Sequence, residues 1–95
     1  MTSNILIIVP AYNEEQAIVD TVKQLEQFAE YDYVVVNDGS TDRTKEILEQ
    51  HNFSHVTLPV NLGIGGAVQT GYRYAAQHGY DYAIQLDADG QHDPE

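Results

Sequence analysis

Residues 5–9 read Ile-Leu-Ile-Ile-Val, an apolar run with no alternation and rich in β-branched side chains. A strand with one wet face alternates between apolar and polar. A run apolar at every position needs cover on both faces. That requirement points to a parallel sheet with helices in front and behind. Pro10 closes the run, so it is too short and too abruptly stopped for a secretory leader or a membrane span.

The rest of the chain supplies the matching pieces. Asn13 is placed to cap a helix, with Gln16 as capping-box partner and Glu14 and Glu15 in the first turn. Ile18, Val22, Leu25 and Ala29 recur at helical spacing and form one apolar face. Tyr33-Val34-Val35-Val36 is a second strand, and Ser40 or Thr41 caps a shorter helix that buries Ile47 and Leu48. A weaker third strand lies around Val56-Thr57-Leu58. Gly63 to Gly66 lead into a helix carrying Ile64, Val68, Tyr72 and Ala75, and Gly79 fits its left-handed cap. Tyr82 to Leu86 form the fourth strand. Alternating strands and helices imply βαβ units, an α/β Rossmann-like parallel sheet with alternating helices.

Ligands of such sheets bind beyond the carboxyl ends of the strands. Three strands end there in polar sequence: Pro10-Ala11-Tyr12-Asn13-Glu14, Asn37-Asp38-Gly39-Ser40 and Asp87-Ala88-Asp89-Gly90. In the last, two carboxylates one residue apart, with Gln91 behind them, suit a hard divalent cation that could bridge a diphosphate. The same residues would also serve as a solvated acidic turn. They do not make a calcium loop of the EF-hand kind, since Gln91 and His92 stand at its fifth and sixth positions and no helix precedes it. Asp38 could accept a hydrogen bond from a nucleobase edge, or simply belong to a strand-to-helix turn. Tyr12 could pack against a base, and Glu14 could bond to it or to a ribose. Capping alone would explain Asn13 and Glu15.

Gly63-Ile64-Gly65-Gly66 resembles part of a dinucleotide fingerprint, but Val68 occupies the sixth position and the motif sits on the third βα turn. These glycines serve close backbone approach, either to a neighbouring element or to a ligand. A nicotinamide-dependent oxidoreductase is therefore disfavoured. His51, His55, His78 and His92 lack metal-ligand spacing.

Composition narrows the partners. Lys+Arg number 4 against 15 Asp+Glu, a formal net charge of −11. Such a chain repels phosphate backbones and anionic lipid surfaces, which argues against nucleic-acid binding. No cysteine is present, which excludes a disulfide scaffold, a thiolate zinc site and a cysteine nucleophile, and fits a reducing, cytoplasmic location. At 95 residues there is one small domain at most.

Taken in order, Val9-Pro10-Ala11-Tyr12-Asn13-Glu14-Glu15, Val36-Asn37-Asp38-Gly39-Ser40-Thr41-Asp42, Asn61-Leu62-Gly63-Ile64-Gly65-Gly66-Ala67 with Gly71-Tyr72, and Leu86-Asp87-Ala88-Asp89-Gly90-Gln91 resemble family 2 glycosyltransferases of the GT-A fold. The last two motifs are most similar to the branch with dolichyl-phosphate mannose synthase and related polyprenyl-phosphate sugar transferases. The resemblance implies the N-terminal half of a GT-A nucleotide-diphospho-sugar transferase fold. It implies that Pro10, Ala11, Tyr12, Glu14, Val36, Asp38 and Asp87 hold a donor nucleotide. Asp87, Asp89 and Gln91 would bind Mg²⁺ or Mn²⁺. The implied reaction transfers a sugar with inversion from a UDP- or GDP-linked donor to polyprenyl phosphate or a growing glycan, as in cell envelope polysaccharide synthesis. The implied catalytic base and acceptor site fall after Glu95, so residues 1–95 are expected to be the donor-binding part of a longer enzyme, truncated after the DxD motif. Alone it would be inactive; the longer protein could sit at the cytoplasmic face of a membrane. The competing expectation is a non-catalytic nucleotide-binding module, or one that self-associates as a homodimer through an exposed sheet edge.

Overall fold

A computed structural model describes residues 4–27 and 31–86. The elements alternate as expected: β1 (Ile5–Ala11), α1 (Ile18–Glu26), β2 (Asp32–Asn37), α2 (Thr44–Gln50), β3 (His55–Thr57), α3 (Gly63–Gln77) and β4 (Tyr82–Gln85). The four strands form one parallel sheet in the order β3-β2-β1-β4. The chain steps outward from β1 to β3, then returns to place β4 on the other side of β1. The strand order reverses between β1 and β4, where doubly wound sheets open a crevice for ligands.

The unbroken run of β1 is explained by cover on both faces. Ile7, Val9 and Ala11, with Val35 of β2, pack against Ile18, Val22 and Leu25 of α1, Leu48 of α2, and Phe53. Leu6 and Ile8, with Val34 and Val36, pack against Ala67 and Ala75 of α3 on the other face. β1 is central, and six of its seven residues are buried. β4 is different. Tyr82 and Ile84 share its outer positions and are 60% and 52% exposed.

The helix starts depart from the sequence expectation. α1 begins at Ile18, and Asn13 does not cap it; its φ is 55° and its side chain serves the other loop. Glu14 and Glu15 therefore precede the first turn of α1 rather than lie within it. Gln16 makes no capping box. α2 begins at Thr44, not after Ser40 or Thr41. Asp42 Oδ1 accepts both the amide (2.9 Å) and the hydroxyl of Thr44. Asn13 and Ser40 thus bond across the sheet edge in place of their own helices, whereas Asp42 serves the start of α2 and also accepts the Glu15 amide at 3.2 Å.

Of the expected face of α3, Ala75 is buried against the sheet and Val68 is half-buried, but Ile64 and Tyr72 are not. Ala67, Gly71 and Ala75 face the sheet, whereas Ile64 and Tyr72 are 59% and 47% exposed. Small residues win because α3 lies close to β1: a Cβ on Gly71 would come within 2.9 Å of Ile8 Cδ1. Gly79 does end α3 in the left-handed region, at φ 78°. The Tyr80 amide then returns to the Ala75 carbonyl at 3.0 Å, satisfying an otherwise open helix end. Ala29 lies outside the described residues, so Ile18, Val22 and Leu25 carry the apolar face of α1. Among the described residues no helix is long and apolar enough to cross a membrane.

Candidate functional site

The carboxyl ends of β1 and β2 are tied together where the site was expected. Ala11 pairs with Asn37 in register, and the Asp38 amide donates to the Ala11 carbonyl at 2.8 Å. Pro10 and Ala11 are buried, and Ala11 packs into the α1 side of the core. Val36 packs under α3 at zero exposure, so anything it offers a ligand comes from its backbone. Tyr12 is different: its side chain is 44% exposed at the edge.

Asp38 is 3% exposed. A buried carboxylate needs several donors to replace its lost water. Leu62 N–H donates to Oδ1 at 2.7 Å, Gly63 N–H donates to Oδ2 at 2.9 Å, and Asn61 Nδ2 donates to Oδ2 at 3.0 Å. Asn61 Nδ2 also reaches the Asp38 carbonyl at 3.0 Å. Asp38 thus holds the start of α3, where the helix dipole favours an anion. Three donors fill three of its roughly four lone-pair positions, leaving one on Oδ1.

Gly39 makes this contact possible. It sits at φ 67°, and a Cβ there would run into the Val60–Asn61 backbone. The glycine that looked like a turn former therefore also gives the β3–α3 loop its place beside β2. Next to it, Asn37 is 1% exposed, and its Oδ1 accepts from the Ser40 amide and hydroxyl.

A second network joins the loop after β1 to the loop after β2. Asn13 Oδ1 accepts from the Thr41 and Asp42 amides at 2.8 and 3.2 Å. The Asn13, Glu14 and Glu15 amides donate in return to Ser40 Oγ, Thr44 Oγ1 and Asp42 Oδ2. Partial burial pushes the Asp42 carboxyl up, but the Thr44 hydroxyl and amide and the Glu15 amide outweigh that and hold it below the ordinary carboxylate value. Of the expected donor residues Pro10, Ala11, Tyr12, Glu14, Val36, Asp38 and Asp87, the first six fall at the joined ends of β1 and β2, and Asp87 lies outside the described residues. The supporting roles of Asn37, Asn61 and Thr44 were missed. The sequence signals for Asn61 are an amide side chain just before the glycine-led helix and its place at the head of the third family motif.

β4 delivers the chain toward the same edge: the Leu86 amide donates to the Ile8 carbonyl at 2.8 Å. Asp87, Asp89 and Gln91, the expected metal ligands, lie outside the described residues, as does His92. Among the described residues, no group of three or more His, Asp or Glu is placed to hold a metal ion. His51 and His78 fall at the C-terminal caps of α2 and α3.

Residues 6–95 match the family model described as "Glycosyl transferase family 2". The chain is 34% identical to the UDP-N-acetylglucosamine–dolichyl-phosphate N-acetylglucosaminyltransferase of Methanococcus voltae, over 96% of this chain and 43% of that protein. It is also 34% identical to the undecaprenyl-phosphate mannosyltransferase of Micrococcus luteus, over 96% of this chain and 40% of that one. Among solved structures it is similar to TarS of S. aureus in complex with UDP, with TM-score 0.75, 27% identity, and 90% and 27% of the two chains covered. It is likewise similar to glucosyl-3-phosphoglycerate synthase of Mycobacterium tuberculosis in complex with Mn²⁺, UDP and glucosyl-3-phosphoglycerate. There the TM-score is 0.72 and the identity 25%, with 90% and 33% covered. The chain spans less than half the length of these relatives.

Proposed function

Because the chain belongs to glycosyl transferase family 2, we propose that residues 1–95 are the donor-binding part of an enzyme that transfers a sugar from a nucleoside diphosphate sugar to polyprenyl phosphate or a growing glycan. The observation that carries this reading is the joined end of β1 and β2. There an exposed Tyr12 stands near a buried Asp38 that retains one acceptor position. A planar base with an N–H or amino edge fits that pair: the ring offers a stacking face and the carboxylate a charge-assisted hydrogen bond. Pro10, Ala11 and Val36 supply the backbone floor beneath, and Glu14 stands beside it for the ribose or base.

The diphosphate would lie toward β4, where the sequence continues into Asp87, Asp89 and Gln91. Glu14, Glu15, Asp38 and Asp42 already crowd this edge with negative charge, so an added diphosphate needs a counter-cation. Three oxygen ligands spaced over five residues suit Mg²⁺ or Mn²⁺. The support from relatives is a bound Mn²⁺ and UDP in one similar structure. The metal would offset the charge that develops on the leaving diphosphate. Sugar transfer then proceeds with inversion: an acceptor oxygen forms its bond to the anomeric carbon as the bond to the diphosphate breaks. The fragment supplies donor binding and is inactive alone, and the longer protein works at the cytoplasmic face of a membrane.

Calorimetry with UDP, GDP and their sugars, with and without Mn²⁺, tests this reading. Metal-dependent binding of one nucleoside diphosphate is expected, and Asp89→Ala should remove the metal dependence. Absence of binding to either nucleotide at millimolar concentration would end the donor-site assignment. The exposed Tyr82 and Ile84 of the edge strand β4 favour a second reading, association of two copies through that edge. Light scattering that gives a monomer would exclude it.

A further inference from the structure

Asn13 holds a backbone conformation that side chains rarely take, at φ 55°. Asparagine tolerates that region best when its side chain bonds nearby backbone. Here its partners are 28 and 29 residues away. The pattern around it is reciprocal. The amides of residues 13, 14 and 15 go to Ser40 Oγ (2.9 Å), Thr44 Oγ1 (3.0 Å) and Asp42 Oδ2 (3.2 Å). The amides of residues 41 and 42 go to Asn13 Oδ1, and that of Arg43 to Glu15 Oε1 at 2.9 Å. Each loop satisfies the open N–H groups that precede the other's helix.

We propose that Asn13 is a positioning residue for the nucleotide donor, locking the loop that carries Tyr12 and Glu14 to the loop that follows Asp38. The inference rests on the donor-site reading above. The bonds that Asn13 itself makes are exposed, whereas those of the Glu14 and Glu15 amides are part-buried. Hydrogen bonds open to water contribute little to global stability. Their main effect is to hold two loops in one arrangement before a ligand arrives, and preorganisation of that kind raises affinity by removing an ordering cost. Loss of the lock therefore weakens nucleotide binding out of proportion to any fall in melting temperature. A side chain with a merely structural role would move the two together.

Asn13→Gly separates the two properties of this residue, because glycine keeps the positive φ without strain and removes the acceptor. In this variant the Thr41 and Asp42 amides should exchange faster, and UDP should bind roughly tenfold more weakly, with the loss in the entropy of binding. Asn13→Asp restores an acceptor on a residue that tolerates the same backbone and should bind within about threefold of the wild type. If Asn13→Gly fails to fold, Ser40→Ala removes one bond of the same lock, together with the hydroxyl's bond to Asn37, and should weaken binding by a few-fold. Unchanged UDP affinity in Asn13→Gly, or in Ser40→Ala where the glycine variant does not fold, or unchanged exchange at Thr41 and Asp42 in Asn13→Gly, overturns the proposal. A wild-type chain that binds neither UDP nor GDP overturns the donor reading instead, and is seen before any variant is compared; where GDP alone binds, it replaces UDP as the probe.

Discussion

The Asp38 carboxylate at the end of β2 accepts the Leu62 amide at 2.7 Å, a bond between residues 24 apart in sequence. With its bonds to Gly63 and Asn61, it fixes where α3 starts relative to the sheet. One residue thus anchors a helix on one face and stands at the edge that receives the ends of β1 and β2. Site and scaffold share this side chain, so changes to it will be felt in both.

Asp38→Ala leaves the part-buried Leu62 and Gly63 amides without their acceptor. The expected loss of stability is about 1–3 kcal/mol, read from urea unfolding. Asn61→Ala removes two neutral-donor bonds to Asp38 and should cost about 0.5–1.5 kcal/mol. The double variant should cost less than the two added together, since both changes act on one network. Strict additivity would mean that Asn61 and Asp38 do not cooperate.

Two glycines of α3 should respond in opposite directions to the same change. A Cβ on Gly71 meets the Ile8 side chain, whereas one on Gly65 meets nothing within 4 Å. Gly71→Ala should destabilise by about 1–3 kcal/mol through overpacking. Gly65→Ala should stabilise by about 0.5–1 kcal/mol, because alanine loses less backbone entropy in a helix. Adding Ile8→Val to Gly71→Ala should recover part of the loss. Thermal melts of the four proteins decide it. Equal destabilisation by both alanines would remove the close α3–β1 approach from the explanation.

The sheet was legible because β1, β2 and β4 announce themselves in runs of apolar residues. The Tyr12 and Asp38 positions were legible because a parallel sheet sends its strand ends to one edge. Helix starts were not. Asn13, Ser40 and Asp42 have cap chemistry, and sequence alone assigns such residues to the nearest helix. Besides local bonds between Ser40 and Asn37 and between Thr44 and Asp42, they bond to partners 27–29 residues away, a distance over which local pattern carries no information. The face of α3 was misread for a related reason. Ile64 and Tyr72 weigh more in a hydrophobic pattern than Ala67 and Gly71, but the space between α3 and β1 admits only the small residues.

Tyr80 donates its hydroxyl to Asp32 Oδ2 at 2.6 Å, and that bond, with a contribution from burial, pushes its pKa up to about 12 from 10.0. The group keeps its proton in the folded chain over a range where the unfolded chain releases it. Its contribution to stability is therefore full below about pH 10 and is lost as the pH rises toward 12. Tyrosinate absorbance should show a tyrosine titrating at about 12 that is absent in Tyr80→Phe, while Tyr33, raised by its burial, stays late in both. Asp32→Asn should bring that titration back toward 10.0. A Tyr80→Phe spectrum identical to that of the wild type would place the late titration elsewhere.

Asp42 carries the opposite sign. Its carboxylate accepts the Thr44 hydroxyl and amide and the Glu15 amide, and these bonds hold its pKa below 3.8 despite partial burial. The folded chain therefore releases this proton more readily than the unfolded chain. The stability it contributes is present above about pH 4 and fades as the pH falls through the lowered folded value. Acidification also discharges other carboxylates in a chain of net charge −11, which relieves repulsion and works against the loss. The comparison that isolates Asp42 is the pH slope of stability in the wild type minus that in Asp42→Asn, between about pH 5 and pH 3. The asparagine variant should be less stable at neutral pH, and the gap should narrow as acid protonates the wild-type group. The Thr44 and Glu15 amide resonances should shift with the same midpoint. A gap constant across that range would mean that the carboxylate's charge adds nothing to the joint between the two loops.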